Sequence, residues 1–338
     1  MKQRLTAGVL CLCLLLSLSG CVDDRQGVPN PGGQSTSSEP AGSTEPGSVQ
    51  AEQSTAIAAP PSVPLGVITH GAPDESTKSG FAPLPATHYD APDPENSRGL
   101  STAKKEHSHG PASAGKAHHT VVSFQDTFDR YGALTLDRTS GRKVLYLTFD
   151  CGWEYENLTA KILDVLREKQ VSAAFFCTGD HIRRQPDLIA RMLREGHIVG
   201  NHSDTHPSFP TLSRAQMAGE IEGVENELRT GFGYCAKYFR FPAGEYSDNA
   251  LDLVQSLGYC SVFWSVAWQD WDVTKTQGAA KAKQTILDRL HPGAVILLHA
   301  VSKDNAAALG DVIDEARAQG YVFSPLSAYS PPVFANDS

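Results

Sequence analysis

From about Arg142 the chain alternates short apolar runs with longer stretches in which apolar residues recur every three or four positions. The first texture is that of buried strands, the second that of helices with one covered face. Residues 143–149 read as a strand. A helix over 157–169 follows, turning Leu158, Ile162, Leu163, Val165 and Leu166 inward, and then a strand over 173–177. A helix is predicted over 186–195, where Pro186 suits a first turn that needs no N–H, and extended chain over 197–200. A long helix over 213–229 opens on Ser213, whose hydroxyl can cap it. Extended chain at 238–241, a helix at 247–257 and extended chain at 260–264 come next. The pattern closes with a helix at 276–290, a strand at 294–298, a helix at 304–319 and a strand at 321–323. Strict alternation implies a parallel sheet with helices outside. About seven such units predict an α/β fold, a small distorted (β/α) barrel whose chemistry collects at the carboxyl ends of its strands. The domain is expected over residues 126–330, with a short tail at 331–338.

Ahead of this region the pattern lapses. Lys2 and Arg4 precede an apolar stretch over 9–18 that is too short for an ordinary spanning helix, and it ends Leu18-Ser19-Gly20-Cys21. Small residues before a cysteine match a lipoprotein signal. Residues 1–21 therefore predict a mature chain lipidated at Cys21 and held on the outer face of the cell membrane. Residues 22–125 are rich in Pro, Gly, Ser, Thr, Ala and Glu. Such a segment buries too little surface to offset its ordering entropy and is expected to be a disordered tether. Six of the twelve histidines fall here, among them His107, His109, His118 and His119, and they read as solvated linker residues. The net charge of -9 argues against a nucleic-acid partner. Of seven cysteines, Cys151, Cys177, Cys235 and Cys260 belong to the folded part, and spacing alone gives no pairing. A monomer is the expected state.

Three predicted strand ends carry chemistry. Asp150 closes the first strand, His299 closes the strand at 294–298, and His202 and His206 lie four residues apart behind the run Ile198-Val199-Gly200. Neutral imidazole is a common metal ligand, and two on one turn can face a single ion. An isolated pair of this kind arises often by chance. Its coincidence with a carboxylate and a further imidazole, each behind an apolar strand, points to a metal site with acid and base groups beside it.

Five segments in order carry a more specific signal: Thr148-Phe149-Asp150-Cys151-Gly152, His202-Ser203-Asp204-Thr205-His206, Arg240-Phe241-Pro242-Ala243-Gly244, Trp268-Gln269-Asp270-Trp271 and Leu297-Leu298-His299. On these, residues 143–327 resemble a polysaccharide deacetylase domain, the NodB-homology family of carbohydrate esterases (family 4). Within it they are most similar to the delta-lactam-biosynthetic de-N-acetylases, which act on N-acetylmuramic acid of peptidoglycan in spore formers. The resemblance implies Asp150 as general base, His202 and His206 as holders of a divalent cation, with Zn²⁺ the candidate, and His299 as the acid that protonates the leaving nitrogen. It further implies that Arg240 keeps Asp150 ionised and aimed, that Asp270 orients His299, and that Pro242, Gly244, Trp268 and Trp271 meet the substrate. Most members carry a second Asp at the position of Cys151. A thiolate there can ligate Zn²⁺, the imidazole pair can hold the ion alone, or the thiol is inert, and the residues leave these open. The expected partners are peptidoglycan glycan strands and, through Cys21, the membrane. The freed amine would close onto the lactyl carboxyl to give muramic δ-lactam during sporulation. Two alternatives are a deacetylase of N-acetylglucosamine in wall or chitin-like polymers, and a wall-binding lipoprotein without turnover.

Overall fold

The computed structural model describes residues 69–329. The expected signal segment, Cys21, residues 22–68 of the expected tether and the tail at 331–338 lie outside the described residues.

Two short strands, β1 (Thr69–His70) and β2 (Lys105–Glu106), and helix α1 (His119–Phe128) precede the alternating region. That region runs β3 (Val144–Cys151), α2 (Leu158–Lys169), β4 (Ala174–Cys177), α3 (Gly179–Arg184), α4 (Pro186–Arg194), β5 (Ile198–Asn201), α5 (Arg214–Phe232), β6 (Tyr234–Cys235), β7 (Tyr238–Phe239), β8 (Glu245–Tyr246) and α6 (Asp248–Ser256). It ends with β9 (Cys260–Ser261), α7 (Ala279–Asp288), β10 (Ala294–His299), α8 (Lys303–Ala318) and β11 (Val322–Phe323). Strands β10, β3, β4, β5, β7 and β9 pair in that order, all parallel, and β11 adds to β3. Beyond β9 the chain pairs Val262 with Leu134 and Val266 with Ile296 of β10, so one segment reaches from one edge of the sheet towards the other. The result is a curled parallel sheet of the half-barrel kind with helices against its outer face, as the alternation predicts.

All eight residues of β3 are buried because both faces of the sheet are covered. Side chains alternate in a strand, and the alternation sorts them. Leu145, Leu147, Phe149 and Cys151 join the core under the helices, with Ile162 and Leu166 of α2. Val144 and Tyr146 face the inside of the curl, with Phe176, Ile198, Tyr238 and Val295. Helix starts follow their predicted signals. Ser213 caps α5 in a reciprocal arrangement with Gln216, Ser247 caps α6, and Pro186 sits in the first turn of α4.

The expectation of a disordered tether through residue 125 is corrected from residue 69 onward. The segment lies along α5, which satisfies its backbone with side chains. Glu222 accepts from the Tyr89 N–H at 2.7 Å, Asn226 bonds both the N–H and the carbonyl of Thr87, and Arg229 donates to the Pro85 carbonyl. Further along, Arg98 grips Asp252 of α6, which also takes Arg214, a fully buried guanidinium that donates to the Pro92 carbonyl as well. Strand β2 pairs with β8, and His107, read as a solvated linker residue, is buried with its Nε2 2.7 Å from the Trp264 carbonyl. Polar anchoring of this kind leaves no apolar period in the sequence. The helices α1 and α3 were likewise not predicted.

Candidate active site

Asp150, His202, Arg240 and His299 all emerge at the carboxyl edge of the curled sheet. Asp150 and His299 are register partners on neighbouring strands β3 and β10. His202 and Arg240 follow β5 and β7 directly, and their N–H groups extend the ladder by bonding Cys177 O and Asn201 O. The ends of β10, β3, β5 and β7, with β4 lying between β3 and β5, thus aim polar side chains into one space.

Arg240 is fully buried, and every part of its guanidinium is used. Nη1 donates to Asp150 Oδ1 at 2.7 Å, Nη2 to Thr148 Oγ1 at 2.9 Å, and Nε to the Val262 carbonyl at 2.9 Å, with the Phe176 ring 4.1 Å beneath. Burial works to raise the Asp150 carboxyl, but the charge of Arg240, aided by His299, outweighs it and holds Asp150 below the usual carboxylate range. A base kept ionised in a dry setting is the consequence. Thr148 was not singled out as a site residue, although it lies two positions before Asp150 and therefore on the same face of the strand.

His202 sits 3.6 Å from Asp150, Nε2 to Oδ2, while its Nδ1 lies 2.9 Å from the Arg240 carbonyl. A carbonyl only accepts, so Nδ1 carries the proton and Nε2 presents a lone pair. Burial pushes this imidazole down to about 4, so it stays neutral. The His206 ring is 4.9 Å from that of His202 and is exposed. The pair does not stand on a helical turn. Ser203 and His206 adopt left-handed backbone, with φ of 66° and 61°, and Ser203 Oγ accepts from the His206 N–H. One protected neutral nitrogen with its other ring atom bonded to a carbonyl, and a second imidazole facing it, is a donor set that fits a divalent cation.

His299 is held by Asp270 twice, through its N–H at 2.8 Å and through Nδ1 at 2.7 Å. Burial would lower this imidazole, but the hydrogen bond and charge of Asp270, with Asp150 beyond, raise it above its ordinary value. Asn305 of α8 donates to Asp270 Oδ2 and in turn accepts from Trp268 Nε1 at 3.1 Å. Asn305 was missed, because nothing in the pattern of α8 marks a polar residue whose partner lies on a distant loop.

Three expected substrate contacts are corrected. Trp268 is buried and braces Asn305, so it offers no face to a sugar. Pro242 and Gly244 are buried as well, and the exposed residue of that turn is Ala243. Gly244 has φ of 68°, and a side chain there would strike the Trp264 ring at 2.8 Å, so this glycine is required by packing. Trp271 is exposed, with its ring 5.9 Å from that of His299, so an open indole face lies beside the site. Trp153, just beyond β3, is a second exposed indole that was not singled out.

Cys151 is corrected too. It shares the strand with Asp150 but points to the opposite face, into the core under the helices, where its sulfur lies among Cys177 and His181. It is not a partner of the imidazole pair. The ion, where bound, would be held by His202 and His206 with Asp150 beside them.

A clamped carboxylate and a carboxylate-backed imidazole, in register on neighbouring parallel strands and next to an imidazole pair, make an acid–base hydrolase site for a polar, surface-accessible substrate. The family model for polysaccharide deacetylase matches residues 137–262. The Bacillus subtilis peptidoglycan-N-acetylmuramic acid deacetylase PdaA is 40% identical over 224 residues, which is 66% of this chain and 82% of that one. The solved structure of that family 4 carbohydrate esterase aligns with a TM-score of 0.63 at 37% identity, covering 67% of this chain and 97% of the other. A family 4 carbohydrate esterase from Bacillus anthracis aligns with a TM-score of 0.55 at 39% identity, covering 67% and 96%. The chain belongs to the polysaccharide deacetylase family, carbohydrate esterase family 4.

Proposed function

We propose that this protein removes the acetyl group from N-acetylmuramic acid in peptidoglycan. The observation that carries the reading is the in-register pairing of Asp150 with His299 beside the imidazole pair. Likeness to the Bacillus subtilis muramic acid deacetylase supports the substrate. A divalent cation between His202 and His206, for which Zn²⁺ suits the two nitrogens, would polarise the acetyl carbonyl and acidify the attacking water. Asp150 takes the proton of that water, and Arg240 keeps its carboxylate ionised and oriented for the task. His299, kept protonated by Asp270, gives a proton to the departing amine. Trp271 offers an apolar face to the sugar ring.

The same reading includes a setting. A lipidated Cys21 would hold the domain on the outer face of the membrane as a monomer, within reach of glycan strands, and the freed muramic amine would go on to δ-lactam in a sporulating cell. Mass analysis of denuded glycan strands incubated with the protein tests the activity. Acetyl loss at muramic residues is expected. Loss confined to glucosamine residues, or no loss, overturns the reading.

A further inference from the structure

Behind the strand end that presents Asp150 lies a second group of ligating side chains. Cys151 and Cys177 are register partners on β3 and β4, and His181 comes from α3, which starts two residues after Cys177. All three are buried, and the two sulfurs and a ring nitrogen of His181 lie within 4.8 Å of one another. Both ring nitrogens of His181 are buried without a hydrogen-bond partner, and no other described residue has two such atoms. A buried imidazole with both nitrogens unmet and two thiols in front of it asks for an electrophile.

We propose that Cys151, Cys177 and His181 form a second metal site, separate from the imidazole pair, that takes a thiophilic divalent cation of the Zn²⁺ type. Bonds of about 2.3 Å to sulfur and about 2.0 Å to nitrogen put tetrahedral donors roughly 3.5 to 3.8 Å apart, so a small closing of the group suffices. Two thiolates and a neutral imidazole bring a divalent ion to zero net charge, the state best tolerated where no donor meets solvent. Burial already holds His181 neutral, pushed down to about 4. The Cys151 thiol, raised by its contact with Cys177 and by burial, is protonated before the ion arrives. Binding by two thiols breaks two S–H bonds, forms two sulfur–metal bonds and one nitrogen–metal bond, and releases two protons to solvent for each ion. A disulfide between Cys151 and Cys177 would use the sulfurs but leave His181 unmet, which favours the metal. The ion would tie the residue next to Asp150 to β4 and α3 and so brace the catalytic strand end from behind.

The full chain, purified with its thiols reduced and stripped of metal, is titrated with Co²⁺. A sulfur-to-cobalt charge-transfer band is expected in the wild type and in the His202→Gln, His206→Gln double variant, with loss of the band in Cys177→Ser and its weakening in His181→Gln. Should Cys177→Ser fail to fold, the double variant decides by itself: Zn²⁺ must raise its melting temperature, and the rise must vanish when His181→Gln is added. Absence of a thiolate band in the wild type overturns the proposal, as does a band that persists in folded Cys177→Ser. A non-reduced chain lighter by two hydrogens, with Cys151 and Cys177 joined, overturns it in favour of a disulfide.

Discussion

Replacing Arg240 by methionine isolates the contribution of the buried ion pair. The wild-type guanidinium has no exposure and satisfies Asp150, Thr148, and the carbonyls of Val262 and Phe263. Methionine keeps much of the apolar stem and its contact with Phe176 but leaves the buried carboxylate without the guanidinium that pairs with it. Breaking a buried pair from one side costs about 3–5 kcal/mol. The expected loss in unfolding free energy is of that size at neutral pH, a shift of the denaturation midpoint with little change of slope. The pH dependence separates charge from packing. Asp150 lies below its ordinary value in the folded protein, so its stabilising contribution is present above the unfolded value and is lost as pH falls through the folded one. In Arg240→Met that contribution is gone and the carboxyl can take up a proton, so the gap between variant and wild type must narrow as the solution is acidified. Chemical denaturation of both proteins, metal-free so that ion binding does not enter, measures the gap at each pH. A gap that is constant from acid to neutral pH would refute the electrostatic account and leave only lost packing.

Other expectations rest on the same geometry. Asp150→Asn keeps an acceptor for Arg240 but removes the base, and should lower kcat on glycan strands by about 10²- to 10⁴-fold while circular dichroism stays native. Asp270→Asn removes the group that raises His299, so the limb of the pH–activity profile on which activity is lost as pH rises should move to lower pH; an unmoved limb would exclude His299 as the acid. Trp271→Ala should raise KM with little change in stability, whereas Trp268→Ala should cost about 3–5 kcal/mol of stability, because only the second side chain is core. Chelation should abolish acetate release and Zn²⁺ should restore it, read on the same substrate, because His206 is open to solvent.

Much of the barrel half was legible because each of its elements carries its own period. The strand at β4 and the helices α2, α4, α5 and α6 begin and end within a few residues of their predicted bounds, since caps such as Ser213 and Ser247 are local chemistry. Asp150, His202, Arg240 and His299 were legible as candidates for the same reason: each stands at or just past a strand, and parallel strands bring their ends together. The segment from residue 69 was not, because it is held by backbone bonds to Glu222, Asn226 and Arg229, and such bonds leave no hydrophobic signature in the segment that receives them.

Cys151 shows where the boundary lies. The alternation of side chains along β3 already sets Asp150 and Cys151 on opposite faces, but likeness to a family with an acid at that position drew the thiol into the active site. Periodicity, caps and strand-end chemistry belong to the chain itself, since they depend on neighbours a few residues away. Which indole faces solvent, which asparagine steadies Asp270 and which histidine meets the two thiols depend on residues far apart in the chain. Only the packing of helices onto the curled sheet brings these together, and in that packing burial sets the charge each group keeps.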